Sequence, residues 1–198
     1  MSNHPHHQTL ISQTFPIGLV NNLARYLLIV IGGSLLIALS SKIQVPFYPV
    51  PMTLQTMVVL VLGMALGWRL AGATILLYLA EGAMGFPVFA GTPEKGLGLS
   101  YMLGGTGGYL FGFIIAAVAC GWLGERGWGR NVTTTVTAML IGNALIYIPG
   151  LLWLGILFGW DKPILTWGLL PFLWGDLLKL SLAAAIMPLT WKLVSRGA

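Results

Sequence analysis

Asp176 and Lys179 are the residues of this chain whose types and spacing promise chemistry. An acid and a base three positions apart lie about 60° from one another around a helix, near enough to pair. They interrupt an otherwise apolar segment, and at mid-depth in a bilayer each charge costs about 2.5 to 3.5 kcal/mol on insertion scales, so both need a compensating role. One role is mutual neutralisation that pins the helix, with Trp153 and Trp174 as ordinary core. The other is a pocket for a small ligand bearing an anionic group and polar donors or acceptors. There Lys179 meets the anion and Asp176 accepts N–H groups. Thr53 and Gln55 supply hydroxyl and amide contacts from the same wall, although Thr53 is equally a helix cap. Trp153 and Trp174 are placed to stack on the ligand, and Phe47, Tyr48, Phe86 and Phe89 to close over it.

The elements that must position these residues are membrane helices. Of 198 residues, 57% are hydrophobic and 8% charged, whereas a soluble domain carries about 25% charged residues. The sequence therefore predicts an all-α polytopic membrane protein, a six-helix transmembrane bundle. Residues 1–22 form an N-terminal cytoplasmic tail and 23–198 a single membrane domain. The spans are 23–40, two short helices within 53–84 that meet at Gly67-Trp68-Arg69, 107–124, 132–158 and 167–193. Three prolines in 45–53 force extended or turn geometry between the first two. Such backbone at membrane depth is tolerated only where it is buried or lines a cavity. Residues 85–105 form a long Gly-rich loop of the kind that often serves as a lid. Pro149 should kink the fifth span. Small residues one turn apart allow close helix approach. Ser34 with Ala38, Gly63 with Gly67 and Gly108 with Gly112 are such pairs, facing either the bundle or a partner.

Lys and Arg counts orient the chain. Arg25, Arg69, Arg126, Arg130, Lys192 and Arg196 fall on one side, Lys42, Lys95 and Lys162 on the other, so both termini are expected in the cytoplasm. The net charge of +5 comes from scattered single residues, not a stripe, which speaks against nucleic acid. The N-terminus lacks a basic n-region, and Arg25 immediately precedes the first hydrophobic run, so that helix is expected to stay rather than be cleaved. Cys120 is the only cysteine, which excludes an intrachain disulfide. His4, His6 and His7 form a polar terminus without further metal ligands. No phosphate-binding loop and no spaced proton relay is present, so active uptake requires a partner. An intramembrane enzyme is the rival class, but the chain has no H-E-x-x-H, no G-x-S-x-G and no intramembrane His. No cofactor is expected.

Val50-Pro51-Met52-Thr53-Leu54-Gln55-Thr56, Gly85-Phe86-Pro87-Val88-Phe89-Ala90-Gly91, the run 105–113 and Gly175-Asp176-Leu177-Leu178-Lys179 together resemble the BioY family. These are the biotin-specific S components of energy-coupling-factor (ECF) transporters. Ile146-Tyr147, Gly150 and Trp153-Leu154 fit as well, and the similarity covers about 23–192 in consistent order. The resemblance implies a multi-pass protein of the cell membrane that captures biotin from outside. It delivers biotin inward with a transmembrane T component and two ATP-binding A subunits, and an S component for another vitamin is the alternative. By position, Asp176 and Lys179 match the family's charged pair on the last helix. The resemblance also shifts Ser34 and Ala38 toward docking the T component. Thr92-Pro93-Glu94-Lys95-Gly96 departs from the further glycines that family members often carry there, and no residue of that loop is carried over.

Overall fold

The structure, a computed structural model, describes residues 9–11 and 22–197. His4, His6, His7 and most of the 1–22 segment lie outside the described residues. The chain is mostly helical. Helix α1 spans Asn22–Lys42, α2 Gln55–Leu66, α3 Trp68–Ala83, α4 Gly98–Met102, α5 Gly107–Glu125, α6 Val132–Phe158, α7 Ile164–Gly168 and α8 Leu173–Gly197. Among the described residues, four segments are long and apolar enough to cross a membrane: Leu23–Lys42, Gly107–Glu125, Val132–Phe158 and Ile164–Val194. Helices α2 and α3 have 12 and 16 residues, which at about 1.5 Å per residue is short of a full crossing.

Two details differ from the all-α expectation. The proline-rich stretch is the loop of a small antiparallel ribbon, in which β1 (Gln44–Val45) pairs Gln44 with Thr53 and Val45 with Met52 of β2 (Met52–Thr53). Prolines 46, 49 and 51 all fall between the strands, where no ladder donor is missed. The last span is also interrupted. After α7 comes a 3-10 turn, Leu170–Phe172, with Pro171 inside it, and only then α8. Pro149 lies within α6, which is helical throughout.

Helix α5 is the centre of the bundle. It packs on α6, α2 and α3, and 61% of its apolar window is buried, against 22% for α1. Glycines permit this. A Cβ on Gly108 would overlap the Pro149 carbonyl of α6, one on Gly112 would stand 2.8 Å from the Ile146 backbone, and one on Gly63 of α2 would stand 2.9 Å from the Ala117 carbonyl. The small residues of α1 face inward too. Ser34 is fully buried and donates its hydroxyl to Glu81 of α3, and Ala38 packs partly buried against the core. This corrects the expectation that the Ser34 and Ala38 pair forms an open docking face. Its smallness lets α1 approach α3, while Leu28, Ile31, Leu35 and Leu39 point outward.

Candidate functional site

Lys179 sits on the inward face of α8 and its side chain is 10% exposed. Its ammonium forms an ion pair with Asp176 Oδ1 at 2.6 Å and donates to the Thr53 carbonyl at 3.2 Å and Thr56 Oγ1 at 2.7 Å. The other Asp176 oxygen accepts from the Tyr147 hydroxyl of α6. One pair on α8 thus joins the β2–α2 junction to α6. Burial makes the arrangement costly to break, since a buried charge without its partner keeps its desolvation penalty.

A cavity opens beside this cluster, its space about 550 Å³ when the open mouth and the solvent in it are counted. Lys179, Tyr147, Thr53, Thr56 and Gln55 line it, and most of the remaining wall is aromatic or aliphatic. Phe89 stacks on Tyr101, centroids 4.9 Å apart and planes at 14°, and meets Tyr78 edge-on at 5.4 Å. Across the space, Tyr147 lies nearly parallel to Phe172 at 6.4 Å and edge-on to Tyr109 at 6.2 Å. The wall tyrosines are fixed by their hydroxyls: Tyr101 donates to the Ala90 carbonyl, Tyr109 to Gly168, and Tyr78 to Val88. Burial raises the Tyr101 phenol above its ordinary value, so it stays a neutral donor. Aromatic walls with one cation at the edge suit a flat ring system carrying an oxygen acceptor or carboxylate.

Of the residues expected at the site, Lys179, Thr53 and Gln55 line the cavity. Thr53 contributes its carbonyl to Lys179. It does not cap α2, whose N-cap is Leu54 without a side-chain bond. Gln55 is buried and donates to the Tyr78 hydroxyl. Asp176 stands behind Lys179 and Tyr147. It faces a second, smaller void with Thr56 and Asn143 instead of the main wall.

Neither expected tryptophan reaches the cavity. Trp174 is 81% exposed, because it precedes Asp176 by two positions and so points about 200° away around the helix. Trp153 lines a groove between α5 and α6 and donates Nε1 to the Gly104 carbonyl at 2.8 Å. Of the loop aromatics, Phe89 is in the wall and Phe47 packs on Phe172, but Tyr48 and Phe86 are exposed. The sequence does not single out Thr56, Tyr78, Tyr101, Tyr109, Tyr147 or Phe172 as site residues, although Thr56, Tyr109 and Tyr147 lie in stretches that carry the family resemblance. Thr56 is the one with a local signal, three positions after Thr53 at the start of α2.

The BioY family profile matches residues 8–196. The chain belongs to the BioY family. Relatives within BioY include a probable biotin transporter from Pyrococcus horikoshii, 40% identical over 156 residues that cover 77% of this chain and 90% of the relative. The biotin transporter of Thermotoga maritima is 36% identical over 151 residues, covering 76% and 86%. A crystal structure of the S component for biotin from an ECF-type ABC transporter superposes with a TM-score of 0.72 at 25% identity, covering 88% of this chain and 95% of that one. BioY membership and the four long apolar segments make this a multi-pass membrane protein of a transporter family.

Proposed function

We propose that this chain captures biotin as the S component of an ECF transporter, a binding and transport subunit and not an enzyme. The observation that carries the reading is the buried Asp176–Lys179–Tyr147 cluster at the edge of an aromatic cavity, in a chain of a biotin transporter family. Biotin has a fused bicyclic ring, ureido N–H donors and a carboxylate. The ring takes the space between the Phe89–Tyr101 stack and the Tyr147–Phe172 pair. Lys179 donates to a biotin oxygen. Asp176 acts from behind the wall, holding the Lys179 ammonium and the Tyr147 hydroxyl in place for the ligand. Thr53 and Gln55 complete the polar edge.

In this reading residues 23–198 are one domain with six membrane-crossing helices, α2 and α3 crossing as a short pair in a locally thinned bilayer. The Arg-rich end and both termini face the cytoplasm of the cell membrane, and the cavity faces outward. A transmembrane T component and two ATP-binding A subunits supply the energy. The T component docks on α1, whose buried share is the smallest of the four long spans. Its exposed Leu28, Ile31, Leu35 and Leu39 are the contact face.

Mass spectrometry of small molecules co-purified with the protein tests the substrate directly. Biotin is the expected mass, and titration of stripped protein should give sub-micromolar affinity that Lys179→Ala abolishes. Another vitamin in its place, or unchanged affinity in the variant, would overturn the reading.

A further inference from the structure

Lys42, the last residue of α1, lines no part of the cavity, yet its ammonium is aimed at the back of the cavity wall. It donates to the carbonyls of Pro87 at 2.7 Å, Phe89 at 2.8 Å and Thr92 at 3.3 Å, and lies 3.1 Å from Thr92 Oγ1. Next to it, Ser41 Oγ lies 2.8 Å from the Val88 carbonyl. A single ammonium thus bridges three backbone carbonyls of one segment. The two side chains at the end of α1 therefore hold the segment 87–92 by its carbonyls, and that segment presents Phe89 and Ala90 to the cavity.

The far side of the segment is packed and hydrogen-bonded as well. The Phe89 ring lies so close to α3 that a Cβ on Gly82 would overlap it. Thr92 Oγ1 closes back on the Phe89 carbonyl at 2.7 Å, and Tyr101 takes the Ala90 carbonyl at 2.8 Å. Phe89 is thus clamped between α3, α4 and the end of α1, and the α1 contribution passes through a lysine.

We infer that Lys42 is a positioning residue for the ligand, fixing the Phe89–Ala90 wall from behind and joining α1 to the occupied cavity. A methionine of similar length keeps the stem and removes the donors. The three carbonyls then lose their shared cation, the wall gains freedom, and bound ligand leaves faster. Arginine, a permanent cation with five donors, restores the contact in part. Lys162 is a matched control, because its partner is the neighbouring exposed Asp161. The inference rests on the reading of this cavity as the biotin site, so its test has one readout that needs no ligand.

The experiment compares wild type, Lys42→Met, Lys42→Arg and Lys162→Met as full-length protein in detergent. Amide hydrogen exchange without ligand is expected to rise at least fivefold across 87–92 in Lys42→Met alone, while α5 stays protected. Biotin binding is expected to weaken about tenfold in the same variant, mostly through faster dissociation, with Lys42→Arg intermediate and Lys162→Met unchanged. Unchanged exchange across 87–92 in Lys42→Met overturns the inference, as does an unchanged dissociation rate in the fraction of that variant that binds. A drop in folded protein with normal binding by the remainder assigns Lys42 a purely structural role and also overturns it. Wild type that ignores biotin overturns the proposed function instead, and the exchange measurement then still decides whether Lys42 fixes the wall.

Discussion

Tyr147 of α6 donates its hydroxyl to Asp176 of α8, 29 positions away in sequence, and its ring forms part of the aromatic wall. It belongs to both the charged edge and the ring slot. Tyr147→Phe keeps the ring and its contacts with Tyr109 and Phe172 but leaves an Asp176 oxygen without its donor. Hydrogen bonds to a charged group contribute about 1.5 to 3 kcal/mol. Biotin affinity is therefore expected to fall about tenfold or more in a titration, with the fold retained. Equal affinity in wild type and variant would remove Tyr147 from the site.

The Asp176–Lys179 pair makes a separable prediction. Lys179→Met leaves a buried carboxylate with Tyr147 as its donor, a change that costs on the order of 3 to 5 kcal/mol. Asp176→Asn with Lys179→Met removes both charges, so thermal stability in detergent is expected to recover most of that loss while biotin binding stays absent. A double variant as unstable as the single one would mean that the pair contributes packing and not charge compensation.

Three-residue spacing was enough to read Asp176 and Lys179 as a pair, because helix geometry alone puts them on one face. The same arithmetic turns Trp174 outward, and depth along the helix was the wrong criterion for it. Ser34 and Ala38 were legible as a close-approach face, but not the neighbour they approach, since Glu81 reaches Ser34 only through the packing of α1 on α3. The aromatic wall was the least legible part. Tyr78, Tyr101, Tyr109 and Phe172 come from four separate elements, and no local pattern marks which tyrosine of a greasy helix turns inward. The ribbon explains the prolines: the chain had to be non-helical there, and pairing Gln44 with Thr53 delivers the Thr53 carbonyl to Lys179.

The two tryptophans separate orientation from depth. Trp174→Leu changes a side chain that is 81% exposed, and biotin affinity is expected to stay within twofold of wild type. Trp153→Phe removes the Nε1 bond to the Gly104 carbonyl that ties α6 to the start of α5. A net loss of about 1 kcal/mol is expected from one hydrogen bond, read as a lower melting midpoint with ligand affinity largely kept. A large affinity loss in Trp174→Leu would place that ring back against the ligand.

Gly112 tests whether the α5–α6 contact sets the cavity. A Cβ there would stand 2.8 Å from both Cα and O of Ile146 and 3.1 Å from the Leu145 carbonyl. All three atoms are backbone, so no rotamer change relieves them and the helices must move apart. Overpacking of this kind costs about 1 to 3 kcal/mol. Tyr109 on α5 and Tyr147 on α6 face each other across the same interface, and separating the helices therefore widens the slot between cavity walls. Gly112→Ala is expected to lower the melting midpoint and weaken biotin binding together. Gly32→Ala, on α1 with nothing within 4 Å of the added carbon, is expected to change neither. If Gly112→Ala lowered stability but bound biotin as wild type does, the spacing of α5 and α6 would not set the width of the slot.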